Sequence, residues 1–279
     1  MGIYQAFALI SGIIMVALDL TLRALQRERD QSWYLSTLGS CVGGVILLPF
    51  IPYSTLALHP LTFTLLFLAG SLWGVSVFCD LKSHASLPVG VSALLSSLRT
   101  VILIAIGIMF FEEPLTAYFL IGATIIIAGV FISCPLQTNS DLHGISLRLT
   151  AVLASAVAIV TEKALAQRTA IELIIACGYV VPAILYLIMR PENWREQCAG
   201  GSRRRKGLIG LYTLLYAAIG PVFVVAFAFG KISDTFIIFQ GRIALLMLLG
   251  ALLLKERTDL PRRCLGMVAV LAGLYFVTR

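Results

Sequence analysis

The sequence predicts an all-α membrane protein: ten transmembrane helices arranged as two inverted five-helix repeats. Three observations carry that prediction. Of 279 residues, 59% are hydrophobic and only 13% charged, whereas soluble domains carry about 25% charged residues. Ten apolar runs approach the ~20 residues that a helix needs to cross a bilayer. The two halves also repeat weakly. Glu112, Gly122, Ala128 and Gly129 recur 144 positions later as Glu256, Gly266, Ala272 and Gly273, and Arg23-Ala24-Leu25 recurs 140 positions later as Lys163-Ala164-Leu165. Five spans per copy is an odd number, so the second copy must enter the membrane upside down. The repeats are expected at 1–137 and 138–279, within one integral membrane domain.

The runs fall at 3–23, 33–51, 61–80, 88–111, 116–134, 148–166, 171–189, 207–229, 235–254 and 263–278. The first ends near Asp19 and Arg23. The second opens on Trp33 and Tyr34, which read as interfacial belt residues like Trp194. It contains Gly39-x-x-x-Gly43, and the third contains Gly70-x-x-x-Gly74; such spacings permit close helix contact. The third also carries Trp73 and ends at Asp80, expected at the interface beside Lys82. The fourth carries Arg99 and the sixth Glu162. The seventh contains Tyr179 and Pro182, the eighth Tyr212, Tyr216 and Gly220-Pro221, and the ninth Phe239, Gln240 and Arg242. Pro52, Pro60, Pro88, Pro114, Pro135, Pro191 and Pro261 mark the short joining segments.

Charge sets an orientation. The odd-numbered loops hold fifteen Lys and Arg, counting Arg23, Arg148 and the run Arg203–Lys206. The even loops and C-terminus hold three. The positive-inside rule then puts the odd loops in the cytoplasm and both termini outside. The net charge of +7 therefore reports topology, and no nucleic-acid partner is inferred. No signal peptide is evident, because Met1–Leu22 lacks a basic n-region and runs on as a full span. The six cysteines show no paired spacing, and four read as small hydrophobes in spans. The histidines His59, His84 and His143 are scattered in or near loops. No metal site, cofactor, Walker loop or nucleophile–base pair emerges, so the chain does not read as an enzyme.

Chemistry concentrates in Arg99 and Arg242. A guanidinium keeps its charge, and placing one near mid-bilayer costs roughly 2.5–3.5 kcal/mol on the insertion scale. By helical spacing, Ser92 and Ser96 share a stripe with Arg99, while Thr235 and Phe239 share one with Arg242, with Gln240 adjacent. Two planar donor forks suit a carboxylate or phosphate. Trp73, Tyr212 and Tyr216 are candidate walls. Asp19 and Glu162 are candidate gates or proton-coupling groups that pair with the two arginines when the anion is absent. The plainer alternative pairs Asp19 with Arg23 and Glu162 with Lys163 at the headgroups.

Phe110-Phe111-Glu112-Glu113-Pro114 with Gly122 and Gly129, and Leu254-Lys255-Glu256-Arg257 with Gly266 and Gly273, resemble the paired signature of the ten-helix, EamA-like branch of the drug/metabolite transporter superfamily. The segment from Ala85-Ser86-Leu87 to Leu98 resembles that branch's hairpin between helices 3 and 4. The resemblance implies ten spans, an inverted repeat and secondary transport by alternating access. Sugar-phosphate carriers of the superfamily hold phosphate with basic residues on helices 4 and 9, the helices of Arg99 and Arg242 here. The expected substrate is a small organic anion, phosphorylated or a lipid-linked phosphate, in a bacterial inner membrane with proton coupling as an option. The alternatives are an exporter of amino acids or amphipathic metabolites, and a non-transporting scaffold or lipid sensor.

Overall fold

The computed structural model describes residues 3–28, 31–51, 59–110, 117–133, 139–166, 168–198, 202–229, 239, 242–254 and 260–277. Among them no strand occurs. The helices are α1 (Ile3–Glu28), α2 (Ser32–Leu47), α3 (Pro60–Ser86), α4 (Val89–Ser96), α5 (Leu98–Phe110), α6 (Ala117–Ser133), α7 (Asn139–Ala166), α8 (Ile171–Ile188), α9 (Trp194–Cys198), α10 (Arg203–Phe229), α11 (Arg242–Leu253) and α12 (Leu260–Val277). Six described helices are long and apolar enough to cross a membrane, and three shorter apolar ones accompany them. Leu153, Leu187, Leu214 and Leu248 are exposed, as lipid-facing side chains require.

The helices pair in a regular pattern. α6 packs on α12, α3 on α7, α1 on α10, and α2 on α8; α3 also meets α8, and α10 meets α2. Without water to drive association, bilayer helices depend on close packing, and small residues permit it. A Cβ at Gly129 would lie 2.8 Å from the carbonyl oxygen of Gly266, and one at Gly273 would lie 2.7 Å from that of Gly122. The glycines that recur 144 positions apart thus meet crosswise on α6 and α12. Gly70 does the same for α3 against Val181 and the Cys177 carbonyl on α8. Gly39 and Gly43 make room for the rings of Tyr216 and Tyr179.

The fourth predicted span is broken. α4 ends at Ser96 and α5 begins at Leu98. The hydroxyls of Ser96 and Ser97 donate to the carbonyls of Ala93 and Leu94, each at 2.6 Å. Such local bonds compete with the helical ladder, and the ladder tightens there, with Ser97 N–H donating to the Leu94 carbonyl and Thr100 N–H to that of Ser97. Arg99 therefore sits in the first turn after a break. Arg242 opens α11.

Candidate functional site

A cavity of about 130 Å³ lies among α1, α3, α5, α7, α8 and α10, with Phe239 closing one side. Six aromatic rings wall it: Trp73, Tyr179, Tyr212, Tyr216, Phe223 and Phe239. The rings brace one another. Tyr212 and Tyr216 stack at 5.8 Å, and Tyr179 meets Tyr216 edge-on at 5.5 Å. Phe223 touches both Trp73 and Phe239 edge-on. The charged side chains in the lining are Arg99, Glu162 and Asp80. Apolar walls with a few convergent polar groups are the usual makeup of a small-molecule site.

Arg99 is 8% exposed. Its Nε has no hydrogen-bond partner, and no carboxylate pairs with it, among the described residues. It lies within electrostatic reach of Arg242 and Asp19. Arg242 is held differently. Nη1 donates to Asp19 Oδ2 at 2.8 Å, Nη2 donates to Ser96 Oγ at 3.1 Å, and the guanidinium lies 4.6 Å over the Phe239 ring. Asp19 and Ser96 do not line the cavity; they bind Arg242 behind it. Among the described residues the Ser92 hydroxyl has no hydrogen-bond partner, and its carbonyl accepts from Arg148 Nε at 3.1 Å. Gln240, Thr235 and the signature acids Glu112, Glu113 and Glu256 lie outside the described residues.

Several sequence expectations change. Glu162 pairs with neither arginine; its Oε1 accepts from Trp73 Nε1 at 2.6 Å, within the cavity wall. Asp19 pairs with Arg242, as the gate reading expects, and the plainer Asp19–Arg23 pairing is absent: Arg23 donates to the carbonyl of His84. Asp80 lines the cavity and does not pair with Lys82. It pairs with Arg148 and lies 3.3 Å from His84 Nδ1, and Lys82 instead covers the Phe78 ring. Arg148, counted from sequence as a loop cation, is 1% exposed inside α7. Trp33 is buried and donates to the Tyr186 carbonyl at 2.7 Å. Arg205 turns inward from its basic run to Gln31 Oε1 at 2.9 Å. Arg148, His84 and Asp80 are the site neighbours that the sequence reading missed. Their apolar flanks gave a signal, since a charge within a span is functional by default.

Residues 2–134 match the family model described as the EamA-like transporter family, so the first half of the chain is similar to that family. A solved structure described only as "Crystal structure of protein" superposes with a TM-score of 0.72 over 97% of each chain, at 14% identity. At that identity the likeness speaks to the fold alone. No curated protein matches the chain.

Proposed function

We propose that the protein is a secondary transporter that carries a small organic anion by alternating access between two inverted halves. One observation carries the cargo assignment: Arg99, a buried guanidinium with no carboxylate partner among the described residues, lines a cavity walled by aromatic rings. A permanent cation in that setting gains most from an anion with an apolar body, which buries against the rings as the fork binds the charge.

The helix pairing supports the inverted repeat at 1–137 and 138–279. Shifting every span by five maps the α3–α7 contact onto α10–α1, and α3–α8 onto α10–α2. The α2–α8 and α6–α12 pairs map onto themselves. Both arginines then take corresponding places, Arg99 on the fourth span and Arg242 on the ninth. The orientation proposed is odd-numbered loops inward, in a bacterial inner membrane.

Counterflow in proteoliposomes tests the reading. Benzenesulfonate and phenyl phosphate are expected to show saturable exchange. Arg99→Ala should weaken apparent affinity about ten- to a hundredfold, since hydrogen bonds to charged groups contribute about 1.5–3 kcal/mol. Arg99→Lys should recover part of the loss. No exchange for any organic anion, or exchange indifferent to Arg99, would sink the assignment. Glu162 in the same cavity favours a second reading, export of amino acids or amphipathic metabolites, in which a substrate amine meets that carboxylate. Counterflow of phenylalanine, lost in Glu162→Gln, would select it.

A further inference from the structure

Tyr212 on α10 is fully buried and lines the cavity, yet its hydroxyl has no hydrogen-bond partner among the described residues. Its neighbours differ. Tyr179 donates to the Tyr216 carbonyl at 2.7 Å and accepts from the Gly220 N–H at 3.1 Å, and Tyr186 donates to the Gly74 carbonyl at 2.5 Å. Asp19 lies within electrostatic reach of Tyr212 but out of hydrogen-bond contact. A buried phenol without an acceptor costs free energy that phenylalanine, with the same ring, would not. The ring alone would serve the stack on Tyr216, so the oxygen needs an explanation of its own.

Arg99 Nε is a second donor in the same lining without a partner among the described residues. The two donors stand on different helices, α5 and α10, so a cargo that satisfies both presents acceptors in two places. We propose that Tyr212 is a specificity-determining residue, whose hydroxyl donates to a neutral hydrogen-bond acceptor on the apolar body of the anion while Arg99 holds its charged head. The inference rests on the anion reading above and narrows it to monoanions that carry a carbonyl, ether or ring-nitrogen acceptor apart from the charge.

The charges of the lining decide why the second acceptor is neutral. Glu162 and Asp80 share the wall with Arg99, and Asp80 is already paired with Arg148. A second negative group on the cargo would find no further cation in the lining among the described residues, and it would face the Glu162 carboxylate. A neutral acceptor needs only the phenol O–H, and the aromatic rings take the apolar body. A site built to donate a hydrogen bond also rejects a cargo without the acceptor, because the hydroxyl then stays unmet in the complex. Tyr212 thus sorts anions that Arg99 alone would accept alike.

The test compares benzenesulfonate with pyridine-3-sulfonate and pyridine-4-sulfonate, which match it in size and in charge at neutral pH and add one acceptor. Calorimetric titration of the purified protein should show at least one pyridine isomer binding more tightly than benzenesulfonate, by about three- to tenfold for a neutral hydrogen bond. Tyr212→Phe should abolish or reverse that preference. A wild-type protein that prefers neither isomer overturns the inference. So does a preference that survives in Tyr212→Phe, including an equal loss for all three anions, which would put the hydroxyl on the charged head. Thermal unfolding without ligand checks the premise: Tyr212→Phe should match or exceed the wild-type midpoint. A fall of more than about 3 °C would give the hydroxyl a structural partner and overturn the inference. If none of the three anions binds and phenylalanine exchanges instead, the anion reading fails, and Tyr212 is judged on 3-pyridylalanine against phenylalanine by the same criteria. Binding by neither set overturns both.

Discussion

At the scale of single residues, the ion pair between Arg242 and Asp19 shows what a sequence reveals and what it hides. Both residues stand out as charges inside apolar runs. Their partnership follows from the scarcity of buried acids, which offers Asp19 to either arginine, but not from spacing, because they are 223 positions apart and helical spacing finds only neighbours on the same helix. The i,i+4 rule offers Asp19 to Arg23, yet in the fold Arg23 is drawn to the carbonyl of His84. Burial decides the competition: Arg242 is 3% exposed and has no water to fall back on. Asp19→Asn should therefore destabilise the protein by about 3–5 kcal/mol, the cost of leaving one partner of a buried pair uncompensated. Joined with Arg242→Gln, most of that loss should return. Thermal unfolding in detergent of the two single variants and the double variant reads this directly, and a purely additive double variant would contradict the pairing.

At the scale of helices, the repeated glycines were legible and their role could be placed. Gly122, Gly129, Gly266 and Gly273 stand at corresponding positions, and the structure sets them against one another on α6 and α12. On α2 the close contact that Gly39 and Gly43 permit is taken up by tyrosine rings from α10 and α8. Spacing reports that a groove exists but not what fills it. The break at Ser97 was hidden for a related reason: hydropathy sees an unbroken apolar run, whereas the break comes from hydroxyls bonding backward to carbonyls. Gly129→Ala and Gly273→Ala each push a methyl against main-chain atoms, which cannot swing aside like a side chain. Each should cost about 1–3 kcal/mol, as overpacking does. Gly207 and Gly210 on α10 have nothing within 4 Å of an added Cβ. Alanine there should be neutral, or stabilising by up to about 1 kcal/mol, because glycine is the poorer helix former. Thermal shifts of opposite sign for the two sets would establish α6–α12 as a close-packed seam.

At the scale of the whole molecule, the proposed alternating access requires that the two ends of the bundle open in turn, and one end carries a buried polar network suited to hold it shut. Arg205 at the start of α10 donates to Gln31 Oε1 between α1 and α2, Gln31 Nε2 donates to the Gln197 carbonyl on α9 at 2.6 Å, and Gln26 Nε2 donates to Ser32 Oγ at 3.1 Å. Gln26, Gln31, Gln197 and Arg205 are all buried. This polar knot ties the turn between α1 and α2 to the segment between α8 and α10, which joins the two halves of the bundle at that end. Buried polar networks hold best when fully satisfied and fail together when one bond is lost, which suits a closure that must be firm in one state and absent in the other. If the knot is a gate, holding it shut must stop transport without harming the fold. Gln31→Cys combined with Gln197→Cys, in a Cys198→Ser background, should exchange anion when reduced and lose exchange when oxidised. A reducing agent should restore it. Unchanged exchange with the cross-link fully formed would mean that this end never opens, and the transport path would have to run through another face of the bundle.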